Sequence, residues 1–259
     1  MFNLTGATLS GERDQLPAVL NLVVGNQSKE AAAMLAAGAV ADARERELAR
    51  AIVAMAAPPL SEQRVTELGK ALEVLADGRD DLAAEAHYLR ARLFQLHQSE
   101  PDWDRASAWY RMLAERQPEN HWAQLGLVKL GLILLHAPGP DDATARISAA
   151  AALPPRIREA ELRRDLHLQI AWAGLAWERP RAEVLRHLLA ADEIGGLIGI
   201  SGEDLVMQIA ELSLREGQTA QARRYFERFL REFRTSPRNF NVRQRLAELE
   251  LLEQGVRTP

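Results

Sequence analysis

The sequence predicts an all-α fold made of stacked helical hairpins, and three observations carry this prediction. Hydrophobic residues make up 47% of the 259 residues and aromatic ones only 5%, so helix-favouring alanine and leucine supply much of the apolar content. Apolar residues recur at spacings of three and four, which marks one face of a helix. The stretch Val206–Phe229 then shows two such faces separated by Gly217. A hairpin of this kind needs a stacked neighbour to bury its apolar face.

Composition and charge exclude several classes of protein. The net charge is -4, with 32 basic and 36 acidic residues interspersed, which disfavours nucleic acid as a partner. No apolar run approaches the roughly 20 residues that span a bilayer, so we expect no membrane insertion. The first six residues lack the pattern of a signal peptide. We therefore expect a cytoplasmic protein, with an exported mature fragment carrying an added Met1 as the alternative. The absence of cysteine removes disulfides and thiolate chemistry.

The first third of the chain predicts one short helical region and one hairpin. Leu16–Val24 fits either a short helix after Pro17 or an extended segment, and we favour the helix. Ser28 is placed to cap a second short helix that ends near Gly38. A clear pattern begins at Asp42, and Pro58 ends the helix that follows. The partner helix begins at a Ser61 cap and buries a face of leucines and valine: Val65, Leu68, Leu72 and Leu75.

Four further hairpins follow, divided by proline and glycine. The second hairpin begins near residue 80 and pairs with 102–117, and the third places residues 122–130 on its first helix and 143–150 on its second. The fourth covers about 156–177 with 180–194, and the fifth opens near Ser201 and ends near residue 234. Glycines between 195 and 202 predict a flexible junction, and Ser201 with Asp204 resembles a capping box. A last helix, about 239–254, has one apolar side and predicts a cap over the end of the stack. We divide the chain into an N-terminal segment (1–41), a repeat domain (42–237) and a capping helix with tail (238–259).

A series of alanines in the second helices gives the repeat its register. The intervals between them are 35, 37, 39 and 40 residues, and the positions are Ala71, Ala106, Ala143, Ala182 and Ala222. A small residue lets two helices cross closely, and a large one a turn later fills the space beside it. Tyr110, Ile147 and Phe226 fit this rule, whereas Arg186 does not.

The spacing resembles that of the tetratricopeptide repeat family, from about 42 to 237, with Sel1-like repeats as a weaker relative. Trp122, Leu125 and Gly126 match the opening helix of that family's repeat, and the second helix matches at Ala143, Ile147, Ala150 and Pro155. The resemblance implies a right-handed α-solenoid of about five antiparallel hairpins. It also implies that the first helix of each hairpin lines a concave face that binds a peptide or helix of a partner protein.

Carried over position by position, the resemblance predicts a partner-binding set in the third and fifth hairpins. This set consists of Asn120, Leu127, Leu130, Asp204, Met207, Glu211 and Arg215. Ala123 and Leu127 occupy positions where some family members carry a carboxylate-gripping Lys and Asn, so we do not expect that mode of binding. The alternative is that Leu127 and Leu130 are core residues and that Glu211 with Arg215 forms an i,i+4 surface pair.

No residue pattern predicts catalysis, a metal or a cofactor. The six histidines show no HExxH or similar close spacing, and the glycine-rich stretch 195–202 lacks a Lys-Ser/Thr ending. Trp103, Trp109, Tyr110 and Trp122 fit either a ligand-stacking wall or, as we favour, a seam between repeats. We therefore expect a non-catalytic interaction scaffold whose oligomeric state is open. A small-molecule-sensing regulator and an accessory domain of a larger enzyme or envelope assembly are the alternatives.

Overall fold

The computed structural model describes residues 15–139 and 142–254, and all regular structure in these residues is helical. The predicted all-α class is confirmed. The described helices are α1 Leu16–Val24, α2 Ser28–Ala36, α3 Ala43–Met55, α4 Glu62–Leu75, α5 Asp81–Leu96, α6 Trp103–Arg116, α7 His121–His136, α8 Ala143–Ala151, α9 Ala160–Ala176, α10 Arg181–Ile194, α11 Gly199–Arg215, α12 Thr219–Glu232 and α13 Asn239–Glu253. A 3₁₀ turn, Pro154–Arg156, lies between α8 and α9.

The chain forms two compact units, Met1–Ile133 and Leu134–Pro259. In the first unit each helix from α1 to α5 packs on the next, and α1 and α5 also pack on α3. In the second unit α8 to α13 pack one on the next in chain order. Such contacts between each helix and the next helix in the chain are typical of helical repeats, and so are the contacts in the first unit between a helix and the next but one.

Short polar side chains begin five of the thirteen described α-helices in the same way. The side chains of Asp42, Ser61, Asp80, Asp102 and Asp142 each accept a hydrogen bond from the backbone N–H three residues later. Each bond satisfies one of the N–H groups that have no partner inside the first turn of a helix. The predicted cap at Ser61 is therefore confirmed.

The predictions for the other two serines are wrong. Ser28 is already inside α2, and its hydroxyl donates to the carbonyl of Ala56 at 3.3 Å, at the end of α3. α11 begins at Gly199, so Ser201 lies within its first turn and caps nothing. The same early start shortens the predicted flexible junction, because only residues 195–198 lie outside a helix.

The predicted short helix at Leu16–Val24 is confirmed as α1, and it belongs to the fold of the first unit. One apolar cluster joins α1 and α2 to α3, and its buried members are Val19, Ala31, Leu35, Val40, Ala49 and Val53. The helices on either side of the predicted boundary between residues 41 and 42 therefore pack together.

α13 packs on α12 and shares an apolar cluster with it. The two phenylalanines of α12, Phe226 and Phe229, are fully buried, and α13 contributes Val242 and Leu249 to the same cluster. The opposite side of α13 carries exposed Arg243 and Gln244. Without α13 the apolar face of α12 would contact water.

Two of the five alanines in the series are buried, and the series fails at α10. Ala106 and Ala222 are fully buried, Ala71 and Ala143 are half-buried, and Ala182 is exposed. Ala182 lies in the first turn of α10, and a close contact of α10 with α9 comes two residues later. There a Cγ of Val184 lies 3.0 Å from the place where a Cβ on Gly174 would stand.

Aromatic side chains fill the seam between α5, α6 and α7. Tyr110 of α6 is 0% exposed, and its hydroxyl donates to Oε1 of Gln95 at 2.9 Å. The Tyr88 ring lies 5.9 Å from that of Tyr110 and 5.3 Å from that of Trp122. Gly126 of α7 meets this seam directly, because a Cβ there would stand 3.1 Å from the Tyr110 ring. The glycine is thus a packing requirement.

We expect Gly126→Ala to destabilise the protein and Gly69→Ala to stabilise it. The Tyr110 ring is buried and hydrogen bonded, so it cannot move away from a Cβ at 3.1 Å without cost. At Gly69, also in a helix, the nearest atom would be 3.8 Å away, an ordinary contact. Alanine there should add about 0.5–1 kcal/mol to the free energy of unfolding, and Gly126→Ala should fall about 1–3 kcal/mol below Gly69→Ala. Urea unfolding measures both, and equal gains would refute the close contact.

Candidate interaction groove

Of the predicted contact residues in the first unit, two are core and one is a helix-start residue. Leu127 is 2% exposed and Leu130 is 1% exposed, so the core interpretation holds for both. Asn120 lies just before α7, where its Oδ1 accepts from the Trp122 N–H at 2.8 Å. Its Nδ2 donates to Asp81 at 2.9 Å. The side chain of Asn120 is therefore engaged at both ends.

The predicted contact residues of α11 face two directions. Glu211 accepts from Arg245 of α13 at 3.0 Å, so it does not form the alternative pair with Arg215. Met207 is half-buried against the apolar cluster that includes Val242. Asp204 forms an ion pair with Arg238, in the turn before α13. The capping segment thus occupies the side of α11 that carries Met207 and Glu211.

The adjacent side of α11 faces α9 across an open cavity of about 680 Å³. Asp204 borders this cavity, together with residues that the sequence analysis did not select. The lining from α9 is Arg164, Asp165, Leu168, Gln169 and Trp172, and the lining from α11 and its preceding turn is Leu197, Ser201, Asp204, Leu205 and Gln208.

A second cavity of about 600 Å³ continues along the same two helices and includes Arg215. Its lining is Leu175, Glu178, Arg179, Pro180, Arg181, Leu212, Arg215 and Glu216. The first cavity is lined by earlier residues of both helices and the second by their C-terminal ends, so α9 and α11 run in the same direction. We call the two cavities together the α9–α11 groove. Both helices open predicted hairpins.

Three side chains in the groove are available for a ligand. Trp172 is 46% exposed. Gln169 and Gln208 are half-buried, and within the described residues their side-chain amides make no hydrogen bond. Neither amide is among the buried polar atoms that lack a partner, so both keep surface that water or a ligand can reach. A ligand in the groove can replace that water with hydrogen bonds to both amides.

The charged residues of the first cavity are already paired. Arg164 is buried and donates to Asp165 at 2.8 Å and to the carbonyl of Gly195 at 3.1 Å. The second bond ties the turn before α11 to α9, so this turn is held in place. Since Asp204 is paired with Arg238, the cavity offers no free charge from these three residues.

A hydrogen-bond network links α10 to α12. Asp192 accepts from the Tyr225 hydroxyl at 2.7 Å and from Arg228 at 2.7 and 2.8 Å. Burial, with the hydrogen bond to Asp192, raises the pKa of Tyr225 to about 12. The phenol therefore stays protonated and keeps donating at neutral pH.

Beside Asn120, the first unit holds an acid with an altered pKa. Burial raises the pKa of the Glu85 carboxyl to about 7; the negative charge of Asp81 adds to the increase and His121 opposes it. In the unfolded chain a glutamate carboxyl has a pKa of about 4.3. The folded protein binds the proton more tightly, so stability falls as pH rises from about 4 to about 7.

We expect Glu85→Gln to be more stable than the parent protein at about pH 8, because glutamine stays neutral where Glu85 must ionise. The gain should be about 1–2 kcal/mol after allowance for solvent screening, and it should vanish near pH 4. Glu115→Gln, at an exposed position of α6, controls for removal of one negative charge. Urea unfolding at both pH values gives the comparison, and a gain of the same size at both would refute the assignment.

The two glutamines carry a signal in the sequence that points to the groove. Trp172, Gln169 and Asp165 lie three and four residues apart on α9, and Gln208 follows Asp204 by four on α11. Each set is one helical face. Residue spacing alone does not show which face of α11 the capping helix covers.

Neither a metal centre nor a membrane span is found in the described part of the chain. Residues 15–139 and 142–254 contain no group of three or more metal-ligating side chains. Within the same ranges, no helix combines the length and apolar character needed to cross a bilayer.

No family model, curated protein or solved structure among those compared matches this chain. The likeness to tetratricopeptide repeats therefore rests on residue spacing and on the packing of successive helices.

Proposed function

We propose that the chain is a non-catalytic protein-interaction scaffold that binds an extended peptide segment of a partner protein in the α9–α11 groove. The observation that carries this proposal is the pair of unpartnered amides, Gln169 and Gln208, beside exposed Trp172. The proposal includes the architecture: the hairpins of each unit stack in the right-handed manner of tetratricopeptide repeats. The common direction of α9 and α11 supports it.

The chemistry of the groove favours a peptide backbone over a charged ligand. A glutamine amide carries both a donor and an acceptor, and so does every non-proline peptide unit. Two such amides on facing helices can hold an extended backbone from both sides. The charges of Arg164, Asp165 and Asp204 are already neutralised within the fold, so they add little attraction for an ion.

Trp172 provides the apolar contact that fixes the register of the peptide. Tryptophan is one of the residue types enriched among the side chains that dominate binding energy at interfaces. Along α9 the groove extends from Asp165 to Leu175, which is about 15 Å at the helical rise. An extended segment of about five residues covers that length. We infer a short segment with one large apolar side chain placed on Trp172.

Trp172→Ala should weaken peptide binding about tenfold or more, because it removes the apolar contact and leaves the fold intact. Peptides are first selected from a displayed random library against the purified full-length chain. The dissociation constant of one selected peptide is then measured by fluorescence anisotropy for each variant. Gln208→Ala should also lower affinity, by a smaller factor.

Phe240→Ala is the matched control. Phe240 is 73% exposed in the same unit and does not line the groove, so its removal should not change binding. Equal affinities for Trp172→Ala and Phe240→Ala would place the peptide elsewhere. A library that yields no binder would count against an extended peptide as the ligand.

A further inference from the structure

The second unit contains a third cavity, of about 420 Å³, on a different side of α9. α9 contributes Arg163 and His167, and α10 contributes Arg186 and His187. The remaining lining is small and apolar: Ala151, Pro154, Pro155 and Ala190. We call it the Arg163–Arg186 cavity.

Two histidines from neighbouring helices meet at its wall. The Nδ1 atoms of His167 and His187 are 2.9 Å apart, within hydrogen-bond distance. A bond between two Nδ1 atoms requires that one carries the proton and the other does not. At least one of the two imidazoles is therefore neutral.

His187 keeps one polar atom without a partner. The side chain is 5% exposed, and its Nε2 is buried with no hydrogen bond among the described residues. This nitrogen has almost no accessible surface, so it does not open into the cavity. Nε2 of His167 also has no hydrogen-bond partner but is not buried in this way, so it is the nitrogen of the pair that a ligand can reach.

The charges around the cavity are all of one sign. The charged and titratable groups facing the histidines are Arg163 on α9 and Arg186 on α10, and the lining from α8 and the 3₁₀ turn is apolar. Arg163 donates one N–H to the Ile157 carbonyl at 3.1 Å. Arg186 is exposed and, within the described residues, makes no hydrogen bond or ion pair. A guanidinium group presents a planar fork of donors that matches a phosphate oxygen pair.

We propose that the Arg163–Arg186 cavity binds a phosphate-type oxyanion, either inorganic phosphate or a small phosphomonoester. Arg186 and the free N–H groups of Arg163 hold the anion, and the histidine pair supplies a further donor. The volume lies in the range of small-molecule sites, about 300–1,000 Å³, and leaves room beyond a phosphoryl group. The proline and alanine wall suits a small organic substituent there.

A metal ion suits the cavity less well. The histidine pair offers two nitrogens, but two guanidinium groups repel a cation, and no carboxylate is among the lining residues. Burial and the same positive charges also lower the pKa values of both histidines. Burial lowers the pKa of His187 to about 4, and His167 and Arg186 add to this decrease. Burial likewise lowers the pKa of His167, with Arg163 and Arg186 contributing. An anion would offset this positive surplus.

Anion binding should therefore be coupled to proton uptake. A bound anion raises the pKa values of His167 and His187, so affinity should increase as pH falls from about 7.5 to about 5.5. Sulfate is the probe for this dependence, because its own charge stays constant over that range. Phosphate is unsuitable there, since its charge changes.

The test titrates the full-length chain with inorganic phosphate, O-phosphoserine and sulfate, with sodium chloride at matched ionic strength as the blank. Calorimetry gives affinities, and long-range ¹H–¹⁵N spectra report the two histidines among the six in the chain. Tighter binding of O-phosphoserine would identify a phosphomonoester as the ligand. Equal or weaker binding would identify free phosphate.

Arg186→Gln should reduce anion affinity at least about tenfold, as expected for loss of a charged hydrogen-bonding partner. Arg186→Lys should reduce affinity less, because lysine keeps the positive charge and loses only the planar pair of N–H donors. Arg231→Gln, on exposed α12 surface, removes the same charge away from the cavity and should leave affinity unchanged. Thermal melts confirm folding of each variant.

The proposal is overturned if no anion shifts the His167 and His187 signals, or if Arg186→Gln and Arg231→Gln have the same affinity. Neither result bears on the α9–α11 groove, whose peptide binding is measured separately.

Discussion

Burial of the apolar face of α12 is the interaction on which the second unit depends. Phe226 and Phe229 are fully buried, and the capping helix α13 completes their surroundings. Two ion pairs, Arg238 with Asp204 and Arg245 with Glu211, hold the capping segment against α11. Because these pairs are partly exposed, each stabilises the fold by only about 1 kcal/mol or less. Their larger effect is geometric, since they fix which side of α11 is closed.

The position of the groove follows from that closure. An α-helix turns about 100° per residue, so covering Met207 and Glu211 leaves Gln208 and Leu212 on the neighbouring open side. α9 runs in the same direction and presents Gln169 and Trp172 to that side. The capping helix therefore protects the apolar face of α12 and also determines which polar groups remain without partners.

Local signals in the sequence predicted helix type and most helix ends, because these depend on neighbours within four residues. Asp80 and Ser61 cap their helices through the N–H three residues later, so these caps do not depend on distant parts of the fold. Ser28 and Ala182 were misjudged because their environments depend on Ala56 and on the crossing of α9 with α10. The candidate site was harder still: His167 and His187 are twenty residues apart and share no motif, yet their rings meet. Only the packing of two helices shows it.

For the arginines, ion pairing with carboxylates says more about their role than the overall composition does. With 32 basic and 36 acidic residues, charge alone suggests nothing beyond a solvated surface. In the second unit, Arg164, Arg228 and Arg245 each complete a bond to a carboxylate and so belong to the fold. Arg186 differs, because it faces a cavity with another guanidinium and no acid. Placing like charges at one cavity costs free energy in the empty state. A bound oxyanion would relieve this repulsion, and the relief would add to its affinity. For this reason Arg186, rather than any paired arginine, identifies a binding site.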